Sequence, residues 1–185
     1  MARISRDNLY MFFEHNIEVS TKTLYLGFGS ADDYDLDQQV AADILKGLHI
    51  LSSIRPEEPI RIIINNLGGE TLHGLAIYDA ISRMPCEVHA YVYGHCYSIA
   101  AWIIQAADRR VMAPNSSMMI HHGESAKTEF DKQMDERCTN ILLNRIREKH
   151  PDFPKHKLDK LLLKDSYFWP EEALDLGLCD EVLSI

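Results

Sequence analysis

Ile60-Arg61-Ile62-Ile63-Ile64-Asn65-Asn66-Leu67-Gly68-Gly69 is the stretch that decides the fold of this 185-residue chain. Its isoleucine run is β-branched and nearly continuous, which is typical of a buried strand in a parallel sheet. The two glycines after it favour a turn into a helix, or backbone N–H groups that point at a ligand. Phosphate binding is not predicted, because the spacing is neither Walker A nor G-x-G-x-x-G.

The segments on both sides of this stretch alternate between strand and helix patterns. Upstream, the pattern predicts a strand over residues 23–28, an acidic turn over 32–34 and a helix over 36–51. The downstream prediction is helices over 72–84, 98–107 and 124–149, and strands over 88–93, 110–113 and 117–121, with Gly94 ending the first of these strands. This alternation indicates an α/β fold with a mostly parallel sheet, whose strand ends carry the chemistry, in a single domain over residues 1–185.

The helix predicted late in the chain is long and has one apolar stripe among charged faces. We expect it to project from the domain and to serve assembly. The stripe consists of Phe130, Met134, Cys138, Ile141, Leu142 and Ile146.

Composition and charge exclude several classes of function. A net charge of −9 argues against a nucleic-acid-binding surface, which needs excess Lys and Arg. No apolar run is long enough for a membrane helix, and no apolar run follows the basic N-terminus as in a secretory signal. The four cysteines contain no C-x-x-C pair, which favours free thiols in a reducing compartment, and we expect a cytoplasmic protein. They are Cys86, Cys96, Cys138 and Cys179.

Ser98 is the candidate nucleophile, since it stands where a strand gives way to a small apolar helix. Free N–H groups at such a helix start favour developing negative charge. The residues alone also allow Ser98 to be a simple N-cap. The segment is not the G-x-S-x-G elbow of α/β-hydrolases, because Cys96 and Ala100 occupy the glycine positions.

Three histidines are candidate bases for Ser98. His121 and His122 close an apolar strand, whose alternation sends at most one of them to a site, and His95 is close to Ser98 in sequence. Asp165 lies between a Lys/Leu-rich segment and an apolar stretch, where a charged residue is normally on the surface. A metal site is not predicted, since no zinc-ligand spacing occurs among the candidate ligands. Those ligands are His95, Cys96, His121, His122 and Cys179.

Taken together and in order, these segments resemble the proteolytic subunit of Clp protease, the ClpP family, across most of the chain. The departures from the family pattern are typical of a divergent or phage-type member. They include Leu67 for Pro, Ile99 for Met, Ala100 for Gly, Lys164 for Arg and a shortened stretch after His121. The matching blocks are Asn65-Asn66-Leu67-Gly68-Gly69, Gly74-Leu75-Ala76-Ile77-Tyr78-Asp79, Gly94 to Ala101, Ala113-Pro114-Asn115-Ser116, Met119-Ile120-His121, Asp165, Pro170-Glu171-Glu172-Ala173 and Gly177-Leu178-Cys179-Asp180.

The resemblance implies a serine endopeptidase with a Ser-His-Asp triad: Ser98 as nucleophile, His121 as base and Asp165 as its orienting carboxylate. It implies an oxyanion hole from Ile99 and Gly69, with Gly68 adjacent. The implied fold is a repeated β-β-α superhelix, shared with crotonases, with a helical handle over residues 122–164.

The resemblance also implies how such a chain works with others. Family subunits form heptameric rings, act on peptides or unfolded proteins and receive them from an ATP-driven AAA+ unfoldase. The peptidase itself uses no cofactor and no metal, and ATP serves only the partner. Two alternatives remain: a non-catalytic ring subunit, which retention of the triad disfavours, and a crotonase-like acyl-CoA enzyme, which needs no such triad.

Overall fold

The core lies between one face of a sheet and a layer of helices. The computed structural model of the chain describes residues 6–27, 36–123 and 128–184. Phe28, the predicted turn over 32–34 and the predicted helix start over 124–127 lie outside the described residues. The strands are β1 (Ile17–Glu18), β2 (Thr23–Leu26), β3 (Ile60–Asn66), β4 (Val88–Tyr97), β5 (Arg109–Met112), β6 (Ser117–Ile120), β7 (Ser166–Phe168) and β8 (Glu181–Val182).

The helices cover the sheet or form the late part of the chain. A 3₁₀ turn over Ile104–Ala106 extends the fourth of them. No helix among the described residues combines the length and apolar composition that a membrane span requires. The helices are α1 (Arg6–His15), α2 (Gln38–Ser53), α3 (Thr71–Ile81), α4 (Ile99–Ile103), α5 (Glu129–Lys149), α6 (Lys155–Leu162) and α7 (Pro170–Leu176).

The strands form an eight-stranded sheet in the order β1-β2-β3-β4-β5-β8, from which β6 and β7 branch at β4. Among the described strands only β1 and β7 run antiparallel to their neighbours, so the predicted α/β fold with a mostly parallel sheet is confirmed. Every second residue of β3 is fully buried, from Ile60 to Asn66, while Ile63 is only half-buried. The isoleucine run therefore packs mainly through one face against the helices.

β4 is longer than predicted and does not end at Gly94. The strand bends there, with Gly94 at a φ of +87° and the Asn65 side chain accepting a hydrogen bond from the His95 N–H at 3.0 Å. Before the bend β4 pairs with β5, and after it with β6. The prediction was wrong because Gly94 was taken as the end of the strand. Asn65 satisfies the backbone at the bend, and pairing with β6 continues the strand beyond it. This branching carries β4 to the site.

The late helix α5 begins at Glu129, where Thr128 caps it, and not at residue 124 as predicted. Its buried residues all lie from Cys138 onward, while Phe130 is 59% exposed. The predicted apolar stripe is therefore covered only in its second half. The first half of α5 borders a groove beside α3 through Phe130 and Met134, and its projection from the domain stays a prediction.

Six short elements were not predicted: α1, β1, α6, β7, α7 and β8. α6 falls in the Lys/Leu-rich segment, where charge masks a short amphipathic helix whose buried residues are Leu158 and Leu162. β7 has only three residues and is formed by pairing with β6, which no local pattern reveals. β7 matters most for the site, because its pairing with β6 brings Asp165 to the sheet.

Candidate active site

Ser98 lies at the junction of β4 and α4 in a strained backbone conformation. Its φ is 49° and its ψ is −135°, a region that residues with a Cβ rarely adopt. The Ser98 N–H donates to Met119 O at 2.9 Å, which ties the turn to β6. The hydroxyl makes no capping hydrogen bond to α4, so the simple N-cap interpretation does not describe it. The turn therefore directs the hydroxyl away from the helix.

His121 follows β6 and reaches Ser98. Its Nε2 lies 2.8 Å from Ser98 Oγ. The backbone N–H of His122 donates to Leu162 O at 2.8 Å. Both histidines still border the cleft beside Ser98, because β6 ends at Ile120 and strand alternation no longer applies. We expected only one of these two histidines to face the site. Only His121 contacts the Ser98 hydroxyl, but both histidines line the cleft.

Asp165 completes the chain of polar contacts. Its Oδ1 lies 3.2 Å from His121 Nδ1, on the side of the ring opposite Ser98. Antiparallel pairing of β6 with β7 places Ile120 opposite Ser166, and the next pair in that register is His121 with Asp165. The carboxylate is 57% exposed, as expected for a charged residue in this segment, although here it has a specific partner.

The glycine pair after β3 lies directly against the Ser98 turn. A Cβ on Gly68, which has a φ of +108°, would lie 2.6 Å from Ser98 Cβ. The Gly68 N–H is occupied, since it donates to Asn66 Oδ1 at 2.8 Å. Within the described residues the Gly69 N–H has no acceptor, and the Ile99 N–H is the first of α4 and has no intrahelical partner. Gly69 is held in place because Leu36 pairs with it.

A cleft next to Ser98 includes residues that the sequence did not single out as functional. Trp102 from α4 and Asp135 and Cys138 from α5 line it together with Ser98 and His121. Burial, and after it the negative charge of Asp135, raises the pKa of the Cys138 thiol to about 11, so this thiol stays protonated. Of these three residues only Cys138 belonged to the predicted apolar stripe of α5, which indicated packing and not a site.

The remaining candidates do not converge on Ser98. The His95 ring contacts the Tyr97 ring in a tilted arrangement, with the ring centroids 4.8 Å apart, whereas the histidine that contacts the Ser98 hydroxyl is His121. Cys96 and Cys179 are buried, and burial raises the pKa of both thiols. Among the described residues no cluster of His, Cys, Asp and Glu could hold a metal ion.

The site contains a hydroxyl, an imidazole and a carboxylate, each in contact with the next, and backbone N–H groups lie beside them. This arrangement on an α/β sheet is typical of a serine hydrolase. Comparison with known proteins agrees with this class. The chain matches the Clp protease family over residues 33–185 and therefore belongs to that family.

Two individual proteins illustrate the similarity. The chain is 34% identical over 155 residues to the ATP-dependent Clp protease proteolytic subunit of Deinococcus radiodurans, covering 80% of this chain and 76% of that protein. Its structure is similar to that of a ClpP1 mutant from Listeria monocytogenes, with a TM-score of 0.77, 26% identity, and coverage of 90% of this chain and 94% of the other.

Membership confirms the resemblance and the ClpP-type fold, and it makes the chain a serine endopeptidase of the Clp protease type. Such proteases act on protein substrates, form oligomers and, as a family, hydrolyse peptide bonds without a cofactor. The two alternatives, a non-catalytic ring subunit and an acyl-CoA enzyme, are not favoured.

Proposed function

We propose that the chain hydrolyses peptide bonds with Ser98 as nucleophile, His121 as general base and Asp165 as the residue that orients the imidazole. The observation that carries the proposal is the 2.8 Å contact between His121 Nε2 and Ser98 Oγ. This distance is within hydrogen-bond reach, as proton transfer from a hydroxyl to a base requires. No metal or organic cofactor takes part in the reaction proposed.

In the first step Ser98 Oγ attacks the carbonyl carbon of the substrate while its proton passes to His121 Nε2. Asp165 accepts the hydrogen bond from Nδ1–H, so the unprotonated Nε2 faces Ser98. The same carboxylate stabilises the imidazolium that forms. His121 then gives the proton to the leaving amine, and water hydrolyses the acyl-serine by the reverse use of the same groups.

Negative charge on the substrate oxygen requires donors that the protein does not already use. The N–H groups of Gly69 and Ile99 meet this requirement, and we assign them to the oxyanion hole. Gly68 contributes differently: its N–H is engaged with Asn66, and its lack of a Cβ leaves room for Ser98. Leu67, Ile99 and Ala100 in place of the family's usual residues do not alter these backbone donors.

Labelling with a fluorophosphonate, read by intact mass, tests the triad. Wild type is expected to gain one label, and Ser98→Ala and His121→Ala are expected to gain none. His95→Ala is the matched control, because this histidine is near Ser98 in sequence but contacts Tyr97. Loss of labelling in His95→Ala with retention in His121→Ala would overturn the assignment of the base.

Assembly is the second part of the proposal. We assign residues 122–164 to a handle on the single domain and expect heptameric rings in the cytoplasm, fed by an AAA+ unfoldase. The uncovered first half of α5, with Phe130 exposed, supports a contact between subunits. Light scattering at micromolar concentration tests this: a single species of 21.2 kDa would contradict any oligomer.

The unfoldase is tested by substrate size. Short peptides should be cleaved by the chain alone, whereas a folded protein should be degraded only when an AAA+ unfoldase and ATP are added. Equal degradation of the folded protein without ATP would contradict a partner of this kind. The Ser98→Ala variant controls for contaminating proteases in both assays.

A further inference from the structure

The turn formed by Gly68 and Gly69 has no strong conformational preference of its own, because glycine adopts positive and negative φ with similar ease. In this chain the φ of Gly68 is +108° and that of Gly69 is +145°. The peptide group between them carries the Gly69 N–H, which we assign to the oxyanion hole. Neighbouring residues must therefore set the direction in which this N–H points.

Leu36 holds this peptide group from one side. The Leu36 N–H donates to Gly68 O at 2.7 Å, and Leu36 O accepts from the Glu70 N–H at 2.8 Å. The peptide bond between the two glycines is trans, and in a trans peptide the C=O and the N–H point in opposite directions. Since Gly68 O points at Leu36, the Gly69 N–H points away from it, which leaves this donor for a substrate bound at Ser98.

Asn66 holds the same turn through its side chain. The residue is buried at the end of β3, and its Oδ1 accepts the hydrogen bond from the Gly68 N–H at 2.8 Å. A side-chain acceptor two residues before the donor closes an Asx turn, which fixes the backbone between them. Asn66 thus fixes the peptide group before Gly68, and Leu36 fixes the one after it.

The pairing of β3 with β4 places Asn66 close to the nucleophile. Asn66 pairs with Cys96, two residues before Ser98, after an irregularity in the ladder. A Cβ on Gly68 would lie 2.6 Å from Ser98 Cβ, so the glycine turn and the nucleophile are in close contact. A shift of the turn would therefore change the distance between the Gly69 N–H and the carbonyl oxygen of a substrate at Ser98.

We infer that Asn66 is a positioning residue for the oxyanion hole, whose side-chain oxygen holds the glycine turn so that the Gly69 N–H meets the developing negative charge. The inference rests on the proposed function, since it concerns a donor that serves acyl transfer at Ser98. Asn66 acts through the Gly68 backbone and not on the substrate directly. Because the substrate oxygen gains its charge only in the transition state, loss of this positioning slows the reaction and leaves substrate binding unchanged.

Two variants of similar size separate the acceptor from the space that the Asn66 side chain fills. Asn66→Ser and Asn66→Ala both shorten the side chain, but only serine retains an oxygen that can accept from the Gly68 N–H. With a fluorogenic peptide, kcat of Asn66→Ala should fall about 30-fold, less than for complete removal of a donor because Leu36 still holds Gly68 O. Its KM should stay within about twofold of wild type, and Asn66→Ser should recover kcat to within about threefold.

A peptide aldehyde provides a second readout, which a folding defect would not change. Ser98 Oγ adds to its carbonyl, and the resulting oxygen occupies the oxyanion hole. The inhibition constant should therefore rise in Asn66→Ala by about the factor by which kcat falls. Ile62→Val is the control for stability, because Ile62 is buried on the same face of β3 but away from the turn. This variant should keep the kcat and the inhibition constant of wild type.

The endpoint of fluorophosphonate labelling counts the active sites, and kcat is expressed per labelled site. Wild-type kcat in Asn66→Ala, or a loss in Asn66→Ser equal to that in Asn66→Ala, overturns the inference and leaves the triad standing. An equal loss in Ile62→Val does the same, because the effect would then follow stability and not the acceptor. Failure of wild type to label overturns the proposed function, and this inference with it.

Discussion

Asp165 lies directly beyond the last pair of the β6–β7 ladder, opposite His121, because Ile120 pairs with Ser166 in antiparallel register. The 3.2 Å contact between Asp165 Oδ1 and His121 Nδ1 is thus a consequence of strand pairing. A side chain on a surface segment gains a fixed partner in this way. Any slip of the short β7 strand would separate the two groups.

Asp165→Asn is expected to lower kcat for peptide hydrolysis by about 10³-fold, since the amide can hold His121 in the wrong tautomer. The effect should fall mainly on kcat, because Asp165 does not border the cleft. Steady-state kinetics with a fluorogenic peptide measure it. Asp152→Asn, at an exposed position, is the control. Unchanged kcat in Asp165→Asn would contradict an orienting role.

Most residues of the candidate site could be predicted from the sequence, but only through its resemblance to the ClpP family. The residues themselves left His95, His121 and His122 as rival bases, and nothing local distinguished them. Selection of His121 depends on pairing of β6 with both β4 and β7, which joins segments far apart in sequence. The cleft could not be predicted either, because Trp102 and Asp135 meet only when α5 packs on α4. The triad assignment remains a prediction for the labelling experiment.

Buried Arg110 and partly exposed Asp180 form an ion pair that holds the C-terminal segment to the sheet and makes stability depend on pH. Burial by itself would raise the pKa of Asp180, but the hydrogen bond and charge of Arg110 outweigh it, so the pKa lies below its ordinary value of 3.8. The Arg110 Nε–H donates to Asp180 Oδ2 at 2.9 Å. Because the folded pKa is lowered, this stabilisation is present above 3.8 and is lost as pH falls through the folded value.

Asp180→Asn should therefore make the free energy of unfolding depend less on pH in acid. At neutral pH the variant should be less stable, since Arg110 keeps a buried charge with a weaker partner. Between about pH 4 and pH 2 its unfolding free energy should fall less steeply than that of wild type, by no more than about 1 kcal/mol because Asp180 is partly exposed. Urea unfolding at several pH values measures both effects. If the unfolding free energies of wild type and Asp180→Asn fell equally with pH, Asp180 would not cause the loss of stability in acid.

The four thiols should differ sharply in reactivity. Burial raises the pKa of Cys138 and of Cys179 to about 11 and raises that of Cys96 as well, whereas Cys86 is only half-buried. Since the thiolate is the reactive form, iodoacetamide at about pH 8 should modify Cys86 alone in the folded protein. Intact mass should show one adduct, and Cys86→Ser none. Rapid modification of Cys138 would contradict the packing of α5 on Trp102.

The fold was predicted better than its element boundaries. Alternating strand and helix patterns correctly indicated the α/β class, since periodicity records which faces are buried. The end of β4 was wrong, because the side chain of Asn65 supports the bend at Gly94 and no local rule includes a residue from another strand. The start of α5 differed because charged residues before Thr128 fit a helix pattern equally well, and only the cap fixes the boundary.

Ser98 itself should be a source of instability. Its φ of 49° and ψ of −135° place a Cβ in a region that costs about 1–3 kcal/mol for a residue other than glycine. Ser98→Ala keeps the Cβ and Ser98→Gly removes it, while both remove the hydroxyl and should abolish hydrolysis. Ser98→Gly is therefore expected to be more stable than Ser98→Ala by about 1 kcal/mol, after the greater backbone entropy of an unfolded glycine is subtracted. Urea unfolding of the two variants at one protein concentration measures the difference. A less stable glycine variant would mean that the surrounding hydrogen bonds, including Ser98 N–H to Met119 O, hold the turn without strain.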